Sequence, residues 1–203
     1  MAKRWERRWD RRGYFYVFFL FASIFIIFVE SVFSQSPPED SRIPFILPPR
    51  SKLLKVRSAV IETVKGKIYI ELYPELAPWH VANFKYLADK HFYDGKEFHI
   101  YRPGHLIQAG KAGSSPLSGP GYTLRPEFNE LKHEPGAVGM ARIEDIANLS
   151  RRSHGSQFYI MLGYAPNLDR NYTLFGKVVA GMDVVRKLRK GDKIISLRVY
   201  VRE

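Results

Sequence analysis

SAVIETVKGKIYIELY, residues 58–73, alternates apolar and polar side chains on both sides of a short Lys65-Gly66 turn. A period of two puts successive side chains on opposite faces of an extended chain, so this stretch predicts two strands of a hairpin. Downstream, Pro78 stands where a first helical residue belongs, and Val81, Phe84 and Leu87 recur at threes on one face up to about Lys90. The middle, 91–175, is rich in Gly and Pro and holds short apolar runs, HLIQAG, GAVGMA, SQFYIML and YTLFGKVV, which predict an all-β body with many loops. A second helix is expected at Gly181–Leu188 and a closing strand at IISLRVYV, 194–201. Many short strands with two helices suggest a mainly β domain, a closed barrel with the helices plugging its ends.

Upstream of the hairpin the pattern is different. From Gly13 through Val29, GYFYVFFLFASIFIIFV, no charged residue occurs for 17 positions, and SVF extends the apolar stretch past Glu30. At about 1.5 Å per residue a helix over this stretch spans roughly 25–31 Å, close to the hydrocarbon thickness of a bilayer. Trp5 and Trp9 precede it among arginines, and Tyr14 and Tyr16 open it, which suits a headgroup boundary. A buried core helix would show some polar face. Residues 13–33 are therefore expected to be a transmembrane signal anchor. The basic flank, 1–12, would stay cytoplasmic, and the rest would face a secretory lumen, Golgi or endoplasmic reticulum. A cleaved signal peptide ending near Ser34 competes, but the apolar run is longer than such peptides use. A mitochondrial presequence also competes and leaves the mitochondrion as the alternative location, although Glu6 and Asp10 fit an acid-poor peptide badly. Residues 34–57, SQSPPEDSRIPFILPPRSKLLKVR, carry prolines at 37, 38, 44, 48 and 49 and read as a semi-extended stalk. The domain proper is expected over 58–203.

The chain has 203 residues, no cysteine, and 32 Lys+Arg against 20 Asp+Glu, a formal charge of +12. One domain of ordinary size plus extra segments is expected at this length. The absence of cysteine excludes disulfide frameworks, thiolate metal sites and cysteine nucleophiles. A basic chain invites a nucleic-acid reading, but the charge divides into +4 over 1–12, −1 over 13–33, +3 over 34–57 and +6 over 58–203. Half of the excess therefore lies outside the domain, no recognition motif accompanies it, and no nucleic-acid partner is expected. No pair among the six histidines stands at metal-ligand spacing, and neither HExxH nor GxSxG occurs, so neither a metal nor a serine-hydrolase elbow is expected.

Through 58–203 run, in order, LAPWHVANFKYLA, FYDGKEFHIYRPGHLIQAG, GAVGMAR, SHGSQFYIML and NLDRNYTLFGKVVAGMDVV. This set closely resembles the cyclophilin family of peptidyl-prolyl cis-trans isomerases over essentially the whole domain. The resemblance implies a closed eight-stranded antiparallel barrel capped by two helices, with proline-containing peptides of client proteins bound in a surface groove. It implies X–Pro isomerisation without a cofactor. Such an enzyme faces a barrier of about 18–20 kcal/mol, because rotation sacrifices amide conjugation. An apolar pocket holds the prolyl ring while one donor stabilises the twisted amide. In the family that donor is an arginine directly after FH.

Carried over residue by residue, the resemblance places His105, Leu106, Gln108, Ala141, Phe158, Leu168 and Tyr172 on groove-lining positions. His99 matches the structural histidine of the FH pair. The donor position is Ile100, the pocket aromatic is His105, the tryptophan of the pocket rim is Asn167, and Ala109 and Lys111 replace a glycine and an aspartate. Arg102, two residues on from Ile100 on the same strand face, and His105 are the candidate substitutes for the missing donor. Loss of one preorganised donor costs about 2.7–4 kcal/mol, or roughly 10²–10³ in rate, so weak isomerase activity is expected. The rival reading, from another class, is a non-catalytic proline-peptide-binding module anchored to a membrane. Two sequons, Asn148-Leu149-Ser150 and Asn171-Tyr172-Thr173, become candidate glycosylation sites if the domain is lumenal. The first lies in RIEDIANLSRRSH, a stretch several residues longer than in typical cyclophilins and expected to be an exposed loop.

Overall fold

The computed structural model describes residues 42–115 and 117–203. The expected flank at 1–12, the anchor at 13–33 and the start of the stalk lie outside the described residues. Among the described residues no helix is long and apolar enough to cross a membrane.

Strands β1 (Val56–Thr63) and β2 (Gly66–Leu72) form the expected hairpin, paired antiparallel from Ser58–Glu71 to Thr63–Gly66. Ala59, Ile61, Ile68, Ile70 and Leu72 are buried, and the alternate positions stay wet or half-buried. Gly66 takes a φ of +132°, and a Cβ there would lie 3.0 Å from Val184 Cγ2, so glycine serves both the turn and the packing behind it.

The remaining strands are short: β3 (Ile100–Arg102), β4 (Leu106–Ala109), β5 (Thr123–Leu124), β6 (Ala137–Met140), β7 (Ser153–His154) and β8 (Phe158–Met161). Two long ones follow, β9 (Leu174–Ala180) and β10 (Ile194–Val201). Eight form one antiparallel sheet in the order β10-β1-β2-β9-β6-β8-β4-β3, and β5 pairs with β7 apart from it.

The expected closure of the barrel does not occur. The sheet curls into a half-barrel whose outer strands are β10 and β3, and the approach between its two ends is a single bridge, Glu97–Lys193, outside both. The cause is the chain before β3. His91 and Gly95 adopt left-handed φ values of 55° and 76°, so residues 91–95 run as turns. They reach β10 through scattered bonds, such as Gly95 N–H to Ile194 O at 2.8 Å, in place of a ladder.

Two helices cover the sheet as expected, α2 (Pro78–Asp89) and α3 (Met182–Lys187), the latter preceded by Gly181 in a left-handed conformation. On α2, Val81, Phe84 and Leu87 face the core, where Phe84 meets Tyr93, Phe158 and Phe175 at ring-centroid distances of 5.3, 5.4 and 5.1 Å. Ala77 offers no side-chain cap to α2. Glu127 supplies it from across the fold, accepting the N–H groups of Trp79 and His80 at 3.0 Å and the His80 Nδ1–H at 2.6 Å.

The expected stalk also changes. A helical turn α1 (Arg50–Leu53) buries Leu53, Val56 already belongs to β1, and Phe45 stacks on Tyr86 at 5.2 Å. The packed domain therefore begins well upstream of Ser58, because Phe45, Leu53 and Val56 are apolar side chains with a core to join.

Candidate active site

Strand register builds the site. Ile100 of β3 sits opposite Gln108 of β4, Gln108 opposite Tyr159 of β8, and Tyr159 opposite Gly139 of β6. Residues in one cross-strand row share a face of the sheet. The next row on that face, Arg102, Leu106 and Met161, runs parallel to it. The alternate rows, Ile107, Ile160 and Val138 between these two and Ala109, Phe158 and Met140 beyond the first, point the other way into the main core. A separate apolar cluster of Leu106, Ala137, Ala141, Tyr159 and Met161 floors the outward face, with Ile100, Leu168 and Tyr172 packed against it.

Above this floor is a groove of about 330 Å³. Ile100, Arg102, His105, Leu106, Gln108, Ala141, Leu168 and Tyr172 all line it, so eight positions dispersed over 73 residues of sequence converge. Phe158 does not: it is fully buried on the opposite face, and its neighbour Tyr159 takes the groove position. Of the two candidate donors, Arg102 is exposed and His105 is half-buried in the β3–β4 turn, its N–H bonded to Arg102 O at 3.0 Å. Asn167 is exposed and is not among the residues that line the groove.

Sequence reasoning also missed His154 and Gln157, which line the groove with Arg142. Gln157 Oε1 accepts from Gln108 Nε2 at 2.8 Å and from His99 Nε2 at 3.1 Å, so the groove amide is positioned from behind. His154 Nδ1 accepts the N–H groups of Ser156 and Gln157 at 3.1 and 3.0 Å, which puts its proton on Nε2, directed at Leu117 O. Arg142 closes one wall, its guanidinium 4.5 Å above the Tyr172 ring.

Tyr159 is held from the inside. Asp169 Oδ1 accepts from the backbone N–H and the Nδ1 of His133, at 2.8 and 2.9 Å. His133 Nε2 therefore carries a lone pair and accepts the Tyr159 hydroxyl at 2.9 Å. Burial opposes the charge on Asp169, but the bonds from His133 and Lys132 outweigh it and hold the carboxyl below its ordinary value. Burial pushes the Tyr159 phenol well up, so it stays protonated and can donate. Gly139 makes room for the phenol: a Cβ there would lie 2.3 Å from the Tyr159 oxygen.

Burial holds His99, His133 and His154 below the ordinary histidine value. In the unfolded chain all three titrate near pH 6.5, so as the pH falls through that value the unfolded state binds protons that the folded state refuses, and stability drops. The urea midpoint is expected to fall between pH 7.5 and pH 5.5; an unchanged midpoint would contradict neutral, buried imidazoles.

The sequons lie beside the groove with their amides engaged. Asn148 Nδ2 donates to Arg152 O at 2.9 Å, and Asn171 accepts from Arg151 Nη2 at 2.7 Å while donating to Asn167 O at 3.1 Å. The loop between β6 and β7 is exposed as expected, with Ile146 and Leu149 each 90 % accessible, yet pinned at both ends by Arg142 and Arg151.

Comparison with known proteins gives a consistent result. The sequence model of the family described as "Cyclophilin type peptidyl-prolyl cis-trans isomerase/CLD" matches residues 58–199. Peptidyl-prolyl cis-trans isomerase B of Bacillus subtilis is 41% identical over 136 residues, covering 66% of this chain and 91% of its own. A peptidyl-prolyl cis-trans isomerase of Synechococcus elongatus is 38% identical over 143 residues, covering 70% of this chain and 94% of its own. Among solved structures, the cyclophilin AquaCyp293 from Hirschia baltica superposes with a TM-score of 0.61 at 25% identity, over 70% of this chain and 73% of that one. A cyclophilin-type isomerase of Cryptosporidium parvum, solved in the presence of the dipeptide Ala-Pro, shares the fold with a TM-score of 0.61 at 24% identity, over 72% of this chain and 100% of its own.

Proposed function

The chain belongs to the cyclophilin-type peptidyl-prolyl cis-trans isomerase family, and we propose that it is a slow member that works on proline-containing segments of client proteins beside a membrane. The observation that carries this reading is the row Ile100–Gln108–Tyr159. It joins an apolar floor to an orienting amide, and it has an aliphatic side chain where the family places its donor. The pocket and the positioned amide support peptide binding. The isoleucine supports slow turnover, since an aliphatic group offers nothing to the twisted amide nitrogen. No cofactor takes part in this reading.

The test is cis–trans exchange of a short Ala–Pro peptide by the full chain in detergent, run beside the Bacillus subtilis relative. The expected kcat/KM is about 10²–10³ below that of the relative, the effect of one missing donor. Equal rates would overturn slow turnover. Peptide binding with no exchange would favour the rival reading that Ile100 also supports, a proline-peptide-binding module without catalysis.

The location belongs to the same proposal. The uncharged run at 13–33 behind an arginine-rich flank supports a signal anchor with a lumenal domain, in Golgi or endoplasmic reticulum. Both sequon amides are used in folded loops, so glycan transfer would have to precede folding. A glycosidase-sensitive mobility shift lost in the Asn148→Gln, Asn171→Gln double variant is expected; no shift together with mitochondrial co-fractionation would overturn the topology.

A further inference from the structure

We propose that Arg142 sustains the slow turnover that remains without a donor at position 100, presenting one guanidinium nitrogen to the bound peptide from the groove wall opposite Ile100's strand. The inference rests on the isomerase reading of the groove.

Arg142 directly follows Ala141 at the end of β6, and its side chain is only 5% exposed although it borders the groove. Nε donates to Asn171 O at 2.9 Å, and Nη1 donates to Ile143 O at 3.2 Å and to Asp145 Oδ1. Asp145 is held in turn by Arg151 at 3.2 Å, and Arg151 Nη2 reaches the Asn171 side chain at 2.7 Å. Two carbonyls, a carboxylate and the Tyr172 ring thus fix the guanidinium plane. Among the described residues Nη2 makes no hydrogen bond, and it is not sealed in the interior either. An arginine with three of its donors engaged and two left over, on the wall of a peptide-sized groove, has a preorganised pair of N–H groups for a peptide carbonyl or a pyramidalised nitrogen.

The alternatives compare poorly. Arg102 is exposed on β3, and ordering it on substrate would cost rotamer freedom that Arg142 has already lost in the folded state. The pairing with Asp145 offsets much of the Arg142 charge, so its role is short-range donation with fixed geometry; it does not steer acidic peptides from a distance.

The test is exchange kinetics of the Ala–Pro peptide with the full chain and its Arg142→Met, Arg142→Lys, Arg151→Met and Lys187→Met variants, with urea midpoints for each. Arg142→Met is expected to lower kcat by about 10²-fold, the loss typical of one preorganised donor, while KM changes less than threefold. Lysine should restore part of kcat, because it keeps a donor without the planar fork. Arg151→Met removes the clamp and keeps the nitrogen, so its kcat loss should be smaller. Lys187→Met, which breaks an exposed pair with Asp183 on α3, serves as the charge control and should leave kcat unchanged. Full kcat in Arg142→Met, a loss confined to KM, or an equal kcat loss in Arg151→Met would each overturn the inference and leave the isomerase reading standing. No exchange in the unmodified chain would overturn both.

Discussion

Replacing Ile100 by arginine raises kcat/KM on a short Ala–Pro peptide by about 10²–10³-fold, the worth of one donor aimed at a developing transition state. The position suits the change. Ile100 is half-buried, pairs with Gln108 on the adjacent strand, and borders the groove above the apolar floor. A longer side chain there leaves the core intact, since the main core lies on the other face of β3. A guanidinium at this point hydrogen-bonds the amide nitrogen as conjugation is lost, an interaction absent from the planar ground state, so the gain belongs in kcat and KM should move little. Exchange kinetics of the variant and the unmodified chain check this. A rate unchanged within twofold would mean that the groove does not hold the prolyl bond near residue 100.

Phe158→Ala lowers stability by about 3–5 kcal/mol, the usual loss for an aromatic ring removed from a packed interior. Phe158 is completely buried, edge-on to Phe84 at 5.4 Å and to Tyr93 at 5.5 Å. Removing it leaves a hole bordered by rings that α2 and the sheet hold apart. At about 2–4 °C per kcal/mol for a chain of this size, Tm should fall by roughly 6–20 °C. KM of the molecules that remain folded should not change, because the ring faces away from the groove. A large rise in KM with little loss of Tm would place Phe158 back among the substrate contacts.

That pair of neighbours shows where sequence reading stops. Phe158 and Tyr159 are adjacent aromatics in SQFYIML, and all four residues of β8 are buried, so polarity gives no phase to the strand. Only the register with Gln108 and Gly139 tells which ring faces which way, and register is a property of three strands at once. The β1–β2 hairpin was legible because one of its faces is wet, and α2 because Pro78 and the spacing of Val81, Phe84 and Leu87 mark a start and a face. Glu127 could not be found as the cap of α2, since it lies 47 or more residues from the N–H groups it accepts. Ile100, Arg102, His105, Leu106, Gln108, Ala141, Leu168 and Tyr172 were legible as groove positions through a family resemblance, but Tyr159, His154 and Gln157 were not. The use of Arg142 was not, because it depends on Asp145, Asn171 and Tyr172 meeting across a loop and a turn. The open half-barrel was missed because apolar runs show where strands form but not whether the outermost two join.

The close fit between Gly139 and the Tyr159 phenol constrains how this groove can change over generations. Any side chain gained at 139 collides with the ring, and any smaller residue accepted first at 159 leaves His133 without the hydroxyl it holds. Neither step is neutral alone. Lineages that keep the tyrosine are therefore expected to keep the glycine, and the two positions should drift only as a pair.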